Sequence, residues 1–334
     1  VAEKNAAKTS AGTSREAAKT ASGGTRSSAA KRLSDIAKRP TPKNGIYDED
    51  SILHLEGLEH IRLRPGMYIG SLGDGSNEND GIYILLKEGI DNAVDEFSQG
   101  FGKRIDIDIR DGRVKIRDYG RGIPLGKLDD CVSNVNTGAK YNNTVFKQAI
   151  GMNGVGIKAT NALSSYFRAA SVRDGKMAVV EKLGKAKDGV KNGTYLEFVP
   201  DEEIFGPYTF NMDMVEKRLW NYAYLNPGLL ISCNGKEYKS EKGWEDLLLN
   251  ERGKSKPLYP MFSYNGKAIQ FVLTHTNSLD KFVYSFVNGQ STEDGGTHVT
   301  SFLDGFTKGI SAFYKKEYDV RDAAGGLSSR SRSA

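Results

Sequence analysis

Residues 81–100 read GIYILLKEGIDNAVDEFSQG, and their spacing predicts a helix. Ile82, Leu86, Ile90, Ala93 and Phe97 recur three or four apart, forming one apolar stripe that has to pack on a sheet. Glu88, Asn92, Asp95 and Glu96 fall on the opposite stripe. A solvated helix face usually interleaves lysines with its acids, and this stripe does not. A carboxylate followed one turn later by an amide suits the activation of a water. It also suits a hard cation, since Mg2+ takes a few oxygen ligands and keeps several waters. An ordinary acidic surface helix would carry the same stripe, so the segments around it decide between the two.

Downstream, IDIDI at 105–109 alternates, Asp111–Gly112 signals a tight turn, and RVKIRD at 113–118 alternates again. Val114, Ile116 and Asp118 therefore share a face, which puts a carboxylate at the end of an apolar row. Such a group must be strained or hydrogen-bonded to something buried. DYGRGIP follows at 118–124, where Gly120 and Gly122 flank Arg121 and Pro124 fixes the exit. Glycines of this kind allow a backbone to approach a ligand closely. A second cluster, GMNGVG at 151–156, opens a helix running IKATNALSS. Glycines ahead of a helix N-terminus can cradle a phosphate with free N–H groups and the positive end of the dipole. No Gly-Lys-Ser/Thr follows, so this is not a P-loop. The spacing is also not that of a dinucleotide fingerprint.

Beyond residue 165 the pattern predicts strands over YFRAASV, KMAVVEKL and GTYLEFVP. Thr194 opens the last of these. Its hydroxyl could share hydrogen bonding with a buried carboxylate on a neighbouring strand, or it could be a plain β-branched strand former. A helix is expected from Asn211 to Tyr224, then a short strand near Leu229–Cys233 and a turn at Asn234–Gly235. A junction is expected around Lys239–Gly243. After it, IQFVLTHT and KFVYSFVNG read as a hairpin, QSTEDGGTH as a polar loop and VTSFLDGFTKGISAFYKKEY as a helix.

Upstream, order is expected to begin near Ile46, with a helix from about Ser51 to Leu63 that stops at Arg64–Pro65–Gly66. Residues 1–45 hold ten Lys/Arg against Glu3, Glu16 and Asp35, with scarcely a large apolar side chain. Such a segment cannot bury enough surface to offset its ordering entropy, and it reads as a disordered basic tail. Its charge serves either nucleic-acid contact or solubility. The chain as a whole has 334 residues and a net charge of +5, room for two domains with an ordinary globular composition. No apolar run approaches the roughly 18 residues of a membrane span. Cys131 and Cys233 fit no disulfide or metal framework, so a reducing compartment is the simple inference. His54, His60, His275 and His298 show no ligand spacing.

RPGMYIG, EGIDNAVDE, DYGRGIP, GMNGVGIKATNALS, GTYLEF and DGGTHVTSF stand in one order between Tyr47 and Arg321. Through them the chain resembles the B subunits of bacterial type IIA topoisomerases, DNA gyrase and topoisomerase IV. The resemblance implies an α+β protein. An ATPase α/β sandwich of the gyrase–Hsp90–histidine-kinase–MutL (GHKL, Bergerat-type) superfamily, at 46–242, would carry an N-terminal dimerisation arm. A partial transducer domain of ribosomal-protein-like fold would follow at 243–322, then a low-complexity tail at 323–334. It implies that Glu88 is the general base, that Asn92 holds Mg2+ bridging the phosphates, and that Asp118 takes the adenine amino group with Thr194 assisting through a water. Gly122 and Ile123 would line the adenine pocket, with Arg121 and Pro124 at the rim where coumarin-type and other ATP-site inhibitors sit. Asn153, Gly154, Val155 and Gly156 would wrap the phosphates, near Lys140 and Lys147. Glu96 joins the ATP-binding set. Tyr47, with Ile52, lies in the arm that embraces a second copy. The implied partners are ATP, Mg2+, DNA, a homodimer mate and an A-type subunit that carries the catalytic tyrosine, in the bacterial cytoplasm on the chromosome, with no membrane. ATP-driven dimerisation would form the gate that captures a DNA segment for strand passage.

Three departures from the family pattern stand in the sequence. Asn153 replaces a frequent histidine, and Phe146 replaces a frequent adenine-contacting tyrosine. After YDVRD the text turns to AAGGLSSRSRSA, without the family's Gln-Thr-Lys loop, which reads as a fragment or a truncated product. The alternative function is a nucleotide-dependent dimerisation switch of the same superfamily, MutL- or Hsp90-like, without topoisomerase work. RPGMYIG and DGGTH favour the topoisomerase reading.

Overall fold

The computed structural model describes residues 55, 57–141, 150, 154–180, 182–185, 189–253, 255–266, 268–278 and 282–314. The basic tail at 1–45, Tyr47, Ile52, Phe146, Lys147, Asn153 and the tail at 323–334 lie outside the described residues. The chain divides into two compact units, the first ending at Glu251 and the second beginning at Arg252.

The first unit runs α1 (Gly57–Leu63), α2 (Gly66–Ile69), α3 (Gly81–Ser98), β1 (Arg104–Arg110), β2 (Arg113–Asp118), α4 (Leu128–Ser133), α5 (Gly156–Ala162), β3 (Ser164–Arg173), β4 (Lys176–Val179), β5 (Lys182–Lys185), β6 (Gly193–Pro200), α6 (Glu202–Phe205), α7 (Met212–Leu225), β7 (Leu230–Cys233), β8 (Lys236–Tyr238) and α8 (Trp244–Glu251). Its eight strands form one sheet in the order β5-β4-β3-β6-β2-β1-β7-β8. Every pairing is antiparallel except that of β1 with β7. Ile105, Ile107 and Ile109 of β1 and Val114, Ile116 and Asp118 of β2 are buried, while the residues between them are partly exposed. That alternation is the signature of a sheet packed on one face and wetted on the other.

The central helix α3 lies on the packed face. A Cβ added at Gly89 would fall 2.5 Å from Ile116 Cδ1 and 3.1 Å from Leu196 Cδ2, so the helix backbone rides directly on β2 and β6. The apolar stripe is wider than the sequence predicts, because Tyr83, Leu85 and Val94 are buried with Ile82, Leu86, Ile90 and Ala93. The expected polar face is also partly interior: Asp95 is only 1% exposed. The cause is that helices and loops beside α3 cover flanks that a two-sided reading leaves to solvent.

The turns follow their sequences. Asp111 and Gly112 both take positive φ (50° and 72°), as do Asn234 and Gly235 (49° and 88°), the backbone a two-residue hairpin requires. Asn234 also reaches back to β1, accepting from Ile109 N–H at 2.8 Å and donating to Ile109 carbonyl at 3.1 Å. The helix expected from Ser51 is seen from Gly57, with 51–54 and 56 outside the described residues. KMAVVEKL is not one strand. It turns after Val179, and Val179 pairs back with Lys182. Met212–Leu225 is helical with Asn211 capping it through a bond from Asp213 N–H.

In the second unit are β9 (Phe262–Asn265), β10 (Gln270–Leu273), β11 (Phe286–Val287), β12 (Gln290–Ser291) and α9 (Thr297–Tyr314). The hairpin expected between IQFVLTHT and KFVYSFVNG does not form. β10 pairs with the preceding β9, and β11 with β12. β11 and β12 close over Asn288–Gly289, both at positive φ (49° and 78°), whereas Asn265 pairs with Gln270 and Gly266 N–H donates to Ile269 carbonyl at 3.0 Å; in both cases the local connection wins over the longer one. Phe271 packs on Phe302 of α9, with ring centroids 4.9 Å apart. No helix among the described residues is long and apolar enough to cross a membrane.

Candidate functional site

The site forms where the outer stripe of α3 meets the end of β2, the start of β6 and the N-terminus of α5. Asp118 closes β2 on its buried side. Its Oδ1 accepts from Gly120 N–H at 2.9 Å and from Thr194 N–H at 3.1 Å, and among the described residues Oδ2 has no partner. Burial raises its pKa, and the two backbone donors oppose that shift. Thr194 thus serves Asp118 with its backbone amide. It sits on β6, which pairs with β2 beside Asp118. Gly193 makes the approach possible: at φ 134° it presses on Asp118, where a Cβ would fall 2.3 Å from the carbonyl oxygen.

The loop after Asp118 is held at both ends. Arg121 donates to Glu96 through Nε (3.1 Å) and Nη2 (2.9 Å), and its backbone N–H also reaches Glu96 at 2.8 Å. Its guanidinium stacks over Phe101, 4.3 Å from the ring centroid. Gly122 takes φ 77° against β3, where Ser171 Oγ donates to Ile123 carbonyl at 2.7 Å. Ile123 is half-buried against the core, and Pro124 bounds a shallow cleft with Leu125, Arg173, Asp174 and Lys176. Ser171 was not foreseen. Nothing in a strand pattern distinguishes a serine that anchors a loop from one that merely fills a position.

One turn apart on α3 stand Glu88 and Asn92. The Glu88 carboxylate faces α5 so closely that a Cβ at Gly156 would lie 1.7 Å from its Oε2. Among the described residues it is paired only loosely, with Lys87 Nζ at 3.8 Å. Burial raises its pKa. Lys87 and Lys140 oppose the shift, and Asp91 and Asp95 add to it. Asn92 Oδ1 accepts from Lys140 Nζ at 2.7 Å, and the same ammonium pairs with Asp95 at 2.5 Å. Asp95 also accepts Ile150 N–H at 2.7 Å. Gly154 and Val155 lead into α5, with Gly154 at φ 61°. Behind the site, Lys158 is buried and donates to Thr137 carbonyl at 2.6 Å. Burial lowers its pKa.

Asp91 is the buried neighbour of Glu88 that sequence reasoning passed over. It is 1% exposed and accepts from Lys87 Nζ at 2.8 Å and from the Tyr222 hydroxyl of α7. The Lys87/Asp91 spacing of four was the signal available. Of the other expected site residues, Tyr47, Lys147 and Asn153 lie outside the described residues.

Among the described residues, no cluster of three or more acids, histidines or cysteines could cage a metal. The Asn92 amide oxygen already accepts a cationic group, and oxygen donors flank it on α3. That suits an ion carried in by phosphates with its own waters, since Mg2+ needs only one or two protein oxygens under those conditions.

Comparison with known proteins gives consistent neighbours. Residues 77–204 match the family described as histidine kinase-, DNA gyrase B-, and HSP90-like ATPase, and residues 236–328 match DNA gyrase B. The chain is 50% identical over 293 residues to the B subunit of DNA topoisomerase 4 from Borreliella burgdorferi, covering 85% of this chain and 49% of that protein. It is 35% identical over 302 residues to the DNA gyrase B subunit of the same organism, covering 80% and 46%. The chain thus spans about half the length of these relatives. Among solved structures, the 43K ATPase domain of Thermus thermophilus gyrase B in complex with an aminocoumarin superposes with a TM-score of 0.61 at 29% identity, covering 79% of this chain and 76% of that one.

Proposed function

The chain belongs to the B-subunit family of bacterial type IIA topoisomerases, in its N-terminal ATPase region, and we propose that it binds ATP with Mg2+ and hydrolyses it to drive dimerisation. The observation that carries this is a loosely held, half-buried carboxylate, Glu88, set against Gly156 at the start of α5, together with a buried carboxylate, Asp118, set against Gly193 with one oxygen fixed by backbone donors. Phosphoryl transfer needs mainly positioning and electrostatics, so an acid, a metal ligand and backbone donors suffice.

Asp118 Oδ2 accepts the adenine amino group while Gly120 and Thr194 fix its other oxygen. Gly122, Ile123 and Pro124 wall the base. The amides of Gly154–Gly156 meet the phosphates, with Lys140, Lys147 and Asn153 alongside. Glu88, its proton affinity raised by burial, draws a proton from the attacking water. Asn92 supplies the protein oxygen for Mg2+, which when bound neutralises charge on the phosphates. Tyr47 joins the ATP-binding set from the arm, which embraces the second copy, and the closed pair captures a DNA segment. An A-type subunit with a catalytic tyrosine completes the enzyme. The rim at Arg121 and Pro124 takes inhibitors of the aminocoumarin type, the class bound to the Thermus thermophilus gyrase B domain.

The domain limits proposed are 46–242 for the ATPase part and 243–322 for the transducer part. The test is ATPase activity with and without Mg2+, run beside sedimentation with a non-hydrolysable analogue. Turnover that needs Mg2+ and a monomer-to-dimer shift on analogue binding are expected. A monomer in all conditions would sink the gate.

The higher identity to the topoisomerase 4 protein than to the gyrase protein of one organism, 50% against 35%, favours the topoisomerase IV role. A complex with the A-type subunit should then decatenate and relax DNA without introducing negative supercoils.

A further inference from the structure

The amide oxygen of Asn92 cannot serve two cations at once. Lys140 Nζ lies 2.7 Å from that oxygen and 2.5 Å from a carboxylate oxygen of Asp95, which stands on the same face of α3. The lysine is only 16% exposed and the Asp95 carboxyl 1%, so this is a held contact and not a passing surface pair. Asp95 is held in turn, since its other oxygen accepts Ile150 N–H at 2.7 Å. An oxygen bound to Mg2+ sits about 2.1 Å from the ion, and an ammonium at hydrogen-bond distance from that same oxygen would be strongly repelled by the divalent charge.

We propose that Lys140 is a built-in placeholder for the divalent cation: its ammonium holds Asn92 and Asp95 while the metal position is empty, and gives up Asn92 when a metal-bound nucleotide arrives. The inference rests on the reading of this pocket as an ATP·Mg2+ site. It assigns Lys140 a role different from that of a plain phosphate contact. A placeholder keeps a positive charge where the phosphates will lie, so Asn92 and Asp95 are not left as an uncompensated group of oxygens. It also makes the lysine and the metal competitors at one atom, where a phosphate-binding lysine and a metal would act side by side.

Competition has a thermodynamic signature. If Lys140 stands in for the metal, its loss must weaken metal-free nucleotide binding much more than binding with metal present. If it contacts phosphate independently of the metal, the loss is the same factor in both conditions. The experiment is calorimetric titration of a non-hydrolysable ATP analogue into the full chain, once with saturating Mg2+ and once with chelator. It compares the unaltered protein with Lys140→Met and Lys140→Arg. Lys87→Met serves as the control, because Lys87 lies on the same helix and contacts Asp91 and Glu88 but not Asn92.

The expected result is that chelation weakens binding at least about tenfold more in Lys140→Met than in the unaltered chain. That factor is the scale of one charge-assisted hydrogen bond. Lys140→Arg should stay close to the unaltered chain, and Lys87→Met should show no added metal dependence. An equal metal dependence in all four proteins overturns the placeholder while leaving the ATP site in place. A Lys87→Met effect as large as that of Lys140→Met also overturns it, because the coupling would then be a diffuse field and not a contact. Failure of the unaltered chain to bind nucleotide under either condition removes the ATP-site reading and this inference together.

Discussion

Asp118 and Glu88 are both carboxylates that burial pushes above the usual range, yet the chain holds them in opposite ways. Asp118 is fixed at the end of a strand by two backbone N–H groups on one oxygen. Glu88 stands on a helix, with no cation nearer than the 3.8 Å approach of Lys87 among the described residues, and faces a glycine where any side chain would strike it. A group meant to recognise a fixed partner gains from rigid backbone donors, which set its direction without lowering its charge. A group meant to take a proton gains from having no donor to displace, since each hydrogen bond to the carboxylate would lower its basicity.

The largest effect should come from the loosely held side. Glu88→Gln keeps the shape and removes the base. Hydrolysis should fall by roughly 10²–10⁴-fold with nucleotide affinity nearly intact. Steady-state ATPase beside analogue binding checks this. Equal losses in both would mean that Glu88 is structural, and the contrast with Asp118 would collapse.

Asp118→Asn should do the reverse. Its second oxygen would become a donor facing the donor it has to accept. Affinity for a non-hydrolysable analogue should drop by about 1–3 kcal/mol, the range for a hydrogen bond to a charged group. Single-turnover hydrolysis of the bound fraction should change little. Unchanged affinity on calorimetry would place base recognition elsewhere.

Asp91 offers a third kind of buried carboxylate, 1% exposed and tied to a cation and a tyrosine. Tyr222→Phe removes one of its donors and touches no part of the proposed nucleotide site. Global stability should fall by about 1–3 kcal/mol with analogue affinity unchanged. Denaturant unfolding measures the first and calorimetry the second. A loss of affinity without a loss of stability would tie α7 to the site.

What the sequence allowed follows from the range of the interactions. Asp118 was legible because a two-residue period puts it in line with Val114 and Ile116, and the glycines after it mark close approach. Glu88 and Asn92 were legible because they share a helix face. The two-residue turns at Asp111–Gly112 and Asn234–Gly235 are local chemistry and form as read. What was not legible lies across the fold. The burial of Asp91 and Asp95 depends on Tyr222, Lys140 and Ile150, which come from segments 45 to 131 residues away. The Ser171 anchor and the bond from the Thr194 amide to Asp118 depend on which strands lie side by side. The same limit explains the second unit, where two apolar runs look like partners, but the first pairs with the strand before it and the second folds back across Asn288–Gly289.

The smallest expected effect concerns stability and pH. Glu88 has a folded-state pKa above that of the unfolded chain, with burial as the first cause. Between the two values the folded state binds more protons than the unfolded one, so stability falls as pH rises through that window. Above the folded value the whole cost of burying the charge is present, and below the unfolded value it is absent. Glu88→Gln carries no such charge. In the absence of nucleotide the variant should therefore melt at a higher temperature than the unaltered protein at neutral pH, and the gap should close as pH falls into the ordinary carboxylate range. The melt is a sensitive readout, because about 1 kcal/mol moves the melting temperature by about 2–4 °C in a domain of this size. Asp118→Asn should behave differently, since the amide disturbs two backbone donors that favour the charged form and so loses part of what it gains. Thermal melts of both variants from neutral to acid pH test the pair. A Glu88→Gln gap that stays constant with pH would mean the carboxylate costs nothing in its charged form, and the loose holding of Glu88 would then have no bearing on its proton affinity.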